Sequence, residues 1–132
     1  MIVLDTSVIV AIAQGEPEAP RFAATITDAG QSVLAAPSYV ECALVLEGRY
    51  GAAGHAFFGA VLQRLTEAHM IIVDFDAAHA RIAREAFRTF GRGRHPAGLN
   101  FGDCLVYATA KALDAPLLFK GDDFALTDIM RA

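Results

Sequence analysis

The sequence predicts an α/β fold with a mainly parallel sheet covered by helices on both faces. Three observations carry this expectation. Short apolar runs recur at residues 1–4, 32–36, 70–73 and 117–119, each the length of a strand buried on both sides. Between them lie longer stretches whose apolar residues fall at helical spacing. The alternation of strand and helix along the chain is the pattern of parallel strands joined by crossover helices.

The elements follow in order. Residues 1–4 end at Asp5, and Asp5-Thr6-Ser7 offers N-cap chemistry for a helix over 8–13. Gly15, Pro17 and Pro20 break the chain over 14–20. A helix over 21–29 is stopped by Gly30. The run 32–36 is closed by Pro37, after which Ser38 caps a helix over 39–50, with Glu41 at capping-box spacing. Residues 51–54 predict a tight helix–helix turn, and a second helix continues to about Ala68 through Phe57, Phe58, Val61, Leu62 and Leu65. After the strand at 70–73, Asp76 opens a helix to Phe90. Residues 91–98 form a loop rich in glycine and arginine; Asn100 or a neighbour opens a helix over 102–113, and a strand at 117–119 leads to a short tail.

A length of 132 residues fits one domain. Hydrophobic residues make up 55% of it and charged residues 20%, an apolar surplus that implies surface covered by a partner. The net charge of -4 argues against a protein that simply coats nucleic acid. It leaves room for an enzyme acting on nucleic acid through a cation, which inverts the local charge. Cys42 and Cys104 form neither a ligand pair nor a disulfide framework, which suits a reduced, cytoplasmic setting. Neither a signal peptide nor a membrane span is read from the sequence.

The acids carry the chemistry. In open parallel sheets, ligands bind beyond the carboxyl ends of the strands. Asp5 ends the first strand, and Asp122 and Asp123 follow the last. Glu41 and Asp103 fall in the first turns of helices at the same predicted edge. Each alone has a plainer reading as a cap, a dipole partner or a solvated turn. Together they repel one another and imply a hard divalent cation with oxygen ligands.

The segments around these acids resemble one family. Ile2-Val3-Leu4-Asp5-Thr6-Ser7 is similar to the first strand of PIN domains. Leu99-Asn100-Phe101-Gly102-Asp103-Cys104, followed by Tyr107-Ala108, resembles the signature of VapC-type toxins in that family. Leu117-Leu118-Phe119-Lys120-Gly121-Asp122-Asp123-Phe124, with Thr127-Asp128, resembles its last strand and final acidic turn. The resemblance implies a single PIN-like domain over residues 1–132, a three-layer α/β/α sandwich whose mainly parallel central sheet has four or five short strands. It implies a ribonuclease toxin of a VapBC toxin–antitoxin pair, cutting transfer or ribosomal RNA with Mg2+ or Mn2+. Asp5 and Asp103 become metal ligands, and Glu41 a ligand or a nearby base. Asp122 is the fourth acid, with Asp123 as the alternative. Ser7 is expected to hydrogen-bond within the site, with Thr6 a weaker candidate. The implied partners are a VapB-type antitoxin, the RNA, and a second copy of the chain, giving homodimers and toxin–antitoxin hetero-oligomers. A groove along the helix pair at 40–65 is the expected antitoxin seat.

Arg88, Arg92 and Arg94, close before Asp103, are candidates for contact with RNA phosphates. Two other readings compete. One is a receiver-type signalling domain, with Asp5, Asp74 and Lys120 around an acidic magnesium pocket. The other is a PIN-fold binding module without catalysis. A dinucleotide-binding fold is excluded, because no Gly-x-Gly-x-x-Gly follows the first strand.

Overall fold

The computed structural model of the chain describes residues 1–132. Its strands are β1 (Ile2–Leu4), β2 (Ser32–Ala35), β3 (Met70–Val73) and β4 (Leu117–Leu118). They form one parallel sheet in the order β3-β2-β1-β4. Val3 pairs with Val33 on one side and Leu117 on the other, which makes β1 an inner strand. The tail adds a parallel bridge between Leu117 and Arg131 at the β4 edge.

Alternation along each strand divides the core. Ile2, Leu4, Leu34 and Leu118 face the cluster built by α1 (Thr6–Ala13), α2 (Ala19–Ala29), α3 (Ala36–Tyr50) and α4 (Ala52–Glu67). Val3, Val33, Leu117 and Phe119 face the cluster of α5 (Ala77–Phe90) and α6 (Phe101–Ala112). The result is the expected α/β/α sandwich. No helix is long and apolar enough to cross a membrane.

Several boundaries differ from the expectation, and the cause is shared. Pro20 and Pro37 do not stop structure; each lies in the first turn of a helix, α2 and α3. Proline tolerates that place because the first amides of a helix have no intrahelical acceptor. Ser38 is therefore not a cap. Ala35 is, without a side-chain bond, and Ser38 is buried inside α3. Glu41 consequently belongs to the second turn of α3, and it makes no capping box. Gly54 is likewise not a turn residue. It lies buried inside α4, where a β-carbon would overlap the Leu46 carbonyl.

Candidate functional site

Asp5 leaves the carboxyl end of β1 and caps α1 with extended backbone. Its Oδ2 accepts a bond of 3.0 Å from the Ser7 amide and a short one from the Ser7 hydroxyl. The same Ser7 Oγ accepts from the Lys120 amide at 3.0 Å. Ser7 thus ties the end of β1 to the chain leaving β4. Thr6 is buried beside the Cys42 thiol, and its hydroxyl has no other partner. Burial pushes the Cys42 thiol up to about 12, so it stays protonated and inert.

Asp103 is the third residue of α6. Its amide donates to Asn100 Oδ1 at 2.9 Å, and its Oδ2 accepts from the Asn100 amide at 3.0 Å. The capping box expected at Glu41 is found here instead. One oxygen of Asp103 is spent on that box and the other remains free of it. Glu41 approaches from α3, with its carboxyl group over Gly102.

The electrostatics show how these acids sit together. Burial raises the Asp5 carboxyl to about 6; the Ser7 bonds oppose this, and the charges of Asp103 and Glu41 add to it. Burial also raises Asp103, against its Asn100 bond, with Asp123 and Glu41 pushing further and Arg92 pulling back. From the last turn, the charge of Asp123 bears on Asp103. The lysine and arginine ion pairs of the molecule lie elsewhere: Arg88–Glu85, Lys111–Asp128, and Lys120 with Glu16 and Glu18. None of the converging acids belongs to an ion pair, and the one cation that bears on them is Arg92, through Asp103.

As the side chains stand, no three Asp, Glu, His or Cys residues form a finished ligand group. The donor set still fits a hard cation, being all oxygen, mutually repelling and set at the carboxyl edge of the sheet. Mg2+ keeps several waters, so two or three carboxylates suffice.

The arginines part company. Arg88 is paired with Glu85 at 3.0 Å, and Arg94 lies over the Phe87 ring at 5.0 Å. Only Arg92 acts on a site acid. Lys120, at 2.7 Å from Glu16, is not a free phosphate ligand. A receiver pocket is ruled out by strand order. Asp74 follows β3, the outer strand, with β2 between it and β1.

An apolar groove of about 910 Å³ opens between α3, α5 and α6. It lies on the far side of α3 from the expected seat, because α4 has already filled that side with Phe58, Val61 and Leu65. Val40, Leu44 and Phe101 line it and are 53%, 69% and 81% exposed, while Glu41 and Gly102 form its border with the acids.

Comparison with known proteins identifies the family and the fold. The PIN domain family matches residues 2–130. The chain is 45% identical to VapC ribonuclease Mb0640 of Mycobacterium bovis, covering 97% of this chain and 95% of that protein. It is 44% identical to a ribonuclease VapC of Mycolicibacterium smegmatis, covering 97% of each. Among solved structures, Mycobacterium tuberculosis VapC20, described as a sarcin-ricin loop cleaving toxin, superposes with a TM-score of 0.76 at 14% identity, covering 100% of this chain and 98% of that one.

Proposed function

The chain belongs to the PIN-domain family of VapC toxin–antitoxin ribonucleases, and from that premise we propose that it is a Mg2+-dependent endoribonuclease toxin cutting transfer or ribosomal RNA. The observation that carries this reading is the convergence of Asp5, Glu41, Asp103 and Asp123 at the carboxyl edge of the sheet, none of them in an ion pair. The whole of residues 1–132 serves as one catalytic domain, acting in the cytoplasm.

Asp5 and Asp103 hold the cation, with Glu41 and Asp123 completing the acidic wall. Asp123 replaces Asp122 as the favoured fourth acid, since its charge reaches Asp103. When bound, Mg2+, or Mn2+ in its place, supplies a Lewis acid that lowers the pKa of water and offsets the charge gathering on the scissile phosphate. Ser7 keeps Asp5 in one orientation by donating to Oδ2, and by accepting from Lys120 it fixes the turn that carries Asp123. Glu41, which enters no capping box, takes the proton of the attacking water. Arg92 neutralises a phosphate next to Asp103.

The groove at α3, α5 and α6 is covered in this reading by a second copy of the chain, which accounts for its exposed Val40, Leu44 and Phe101. A VapB-type antitoxin restrains the site. Support comes from two solved structures with the same fold, a toxin–antitoxin complex from Klebsiella pneumoniae and VapBC2 from Rickettsia felis, the latter bound to a DNA fragment of its promoter. Light scattering of Leu44→Glu tests the pairing, and the mass should fall to that of one chain.

The deciding experiment is RNA cleavage by the purified protein with Mg2+, with EDTA, and with Asp5→Ala or Asp103→Ala. Cleavage is expected only in the first case. Cleavage that survives the chelator and both substitutions overturns the proposal.

A further inference from the structure

Gly102 lies in the first turn of α6, one residue before Asp103. A β-carbon built on it would overlap Oε2 of Glu41 and stand 3.1 Å from Cδ and 3.3 Å from Oε1. The end of the Glu41 side chain therefore occupies the space that any side chain at position 102 would need.

Two other glycines make close approaches, and they differ in kind. At Gly54 the obstacle is the Leu46 backbone, so a β-carbon there would part α3 from α4. At Gly91 the obstacles are the Phe87 carbonyl and ring. Both are packing glycines, with rigid neighbours. At Gly102 the neighbour is a carboxylate on a flexible stem. The backbone supplies no reason for glycine either. Gly102 lies outside the left-handed region, and alanine suits a helix better.

We infer that Gly102 is a positioning residue whose missing side chain forms the cradle that holds the Glu41 carboxylate against the turn carrying Asp103. The inference rests on the proposed role of Glu41 as the base that completes the acidic wall around the cation, and deepens it. Glu41 comes from α3 and Asp103 from α6, and their separation is set by how near the carboxylate can lie to the α6 backbone. A single methyl group at position 102 is relieved by swinging the carboxylate away, since that end of the chain is the part free to move. The helix gains while the site loses, so stability and function separate.

The test uses Gly102→Ala, Glu41→Ala and the double variant of the full chain. It measures melting temperature without metal, Mn2+ affinity by calorimetry, and RNA cleavage. Gly102→Ala should melt at the same temperature or higher, bind Mn2+ about ten-fold more weakly, and lose kcat with KM for RNA unchanged. In the Glu41→Ala background, Gly102→Ala should change Mn2+ affinity no further. A lower melting temperature would mean that backbones give way instead of the carboxylate, and it overturns the inference. So does undiminished Mn2+ affinity in Gly102→Ala, or an equal loss with and without Glu41. If the wild-type protein takes up no Mn2+ and cuts no RNA, the ribonuclease reading falls and takes the inference with it. If the wild type does both and Gly102→Ala matches it, the inference alone falls.

Discussion

Two aspartates near opposite ends of the chain show what distinguishes a site acid from a structural one. Asp128 sits in the tail. Tyr107 donates to its Oδ1 at 2.7 Å, and Lys111 stands 2.8 Å from its Oδ2. Burial pushes its carboxyl up, but these partners outweigh it and hold the group below the usual carboxylate range. Asp5 also has donors, from Ser7, yet it lies near 6 because burial and two neighbouring acids dominate. The difference is the cation. Asp128 has been given a lysine, and Asp5 has been given more negative charge. An acid paired with lysine fastens the tail. A buried acid among acids costs stability, and it persists where a charge is to be supplied from outside.

The largest expected effect breaks the comparison by substitution. Asp5→Asn should lower cleavage on the order of a thousand-fold, since a metal ligand is worth several kcal/mol at the transition state. Without metal at pH 7 it should melt higher than the wild type. Asp128→Asn should do the reverse, with cleavage kept and stability lowered by at most about 1 kcal/mol, the range of an exposed ion pair. Kinetics and thermal melts on the two variants check both halves. Equal behaviour would erase the distinction.

A pH titration of the metal-free protein sharpens it. Asp5 is raised in the folded state from its ordinary 3.8 to about 6. Its contribution is therefore fully favourable below about pH 4 and is lost as pH rises through 6. At about 1.4 kcal/mol per pH unit, the loss is on the order of 3 kcal/mol by pH 7, and the raised Asp103 adds to it in the same direction. Asp128, being lowered, contributes above about pH 4 and loses its contribution as pH falls through its folded value. Denaturant melts from pH 4 to 8 should show a decline that Asp5→Asn reduces to the part due to Asp103. Mn2+ should restore stability at pH 7 and do little at pH 4.5, where Asp5 holds its proton.

The same contrast explains what the sequence made readable. The sheet and its helices follow from local periodicity, and Asp5 follows from a strand that ends on a capping residue. Read as letters, Pro37 is a stop, which puts Glu41 in the first turn of its helix; in the folded chain Pro37 enters the helix and Glu41 falls in the second turn. Choosing between Asp122 and Asp123 depends on how the last turn lies against α6. The Asp128 partners and the Gly102 cradle were invisible for a deeper reason. Tyr107 lies 21 residues from Asp128, and Glu41 comes to Gly102 from another helix. Contacts of this kind exist only once the helices have packed, and no spacing along the chain encodes them.

The smallest expected effect concerns cations that approach the site. Arg88 is already answered by Glu85, as Asp128 is by Lys111, while Arg92 acts on Asp103 with no ion pair of its own. Arg92→Ala should therefore weaken binding of RNA to the inactive Asp5→Asn protein a few-fold and reduce the slope of log affinity against log salt by about one, as loss of one phosphate contact requires. Arg88→Ala should change neither. Fluorescence anisotropy at several salt concentrations reads both quantities. If Arg88→Ala matches Arg92→Ala, an existing ion pair does not withdraw a side chain from RNA, and charge pairing stops being a guide to which residues work at this site.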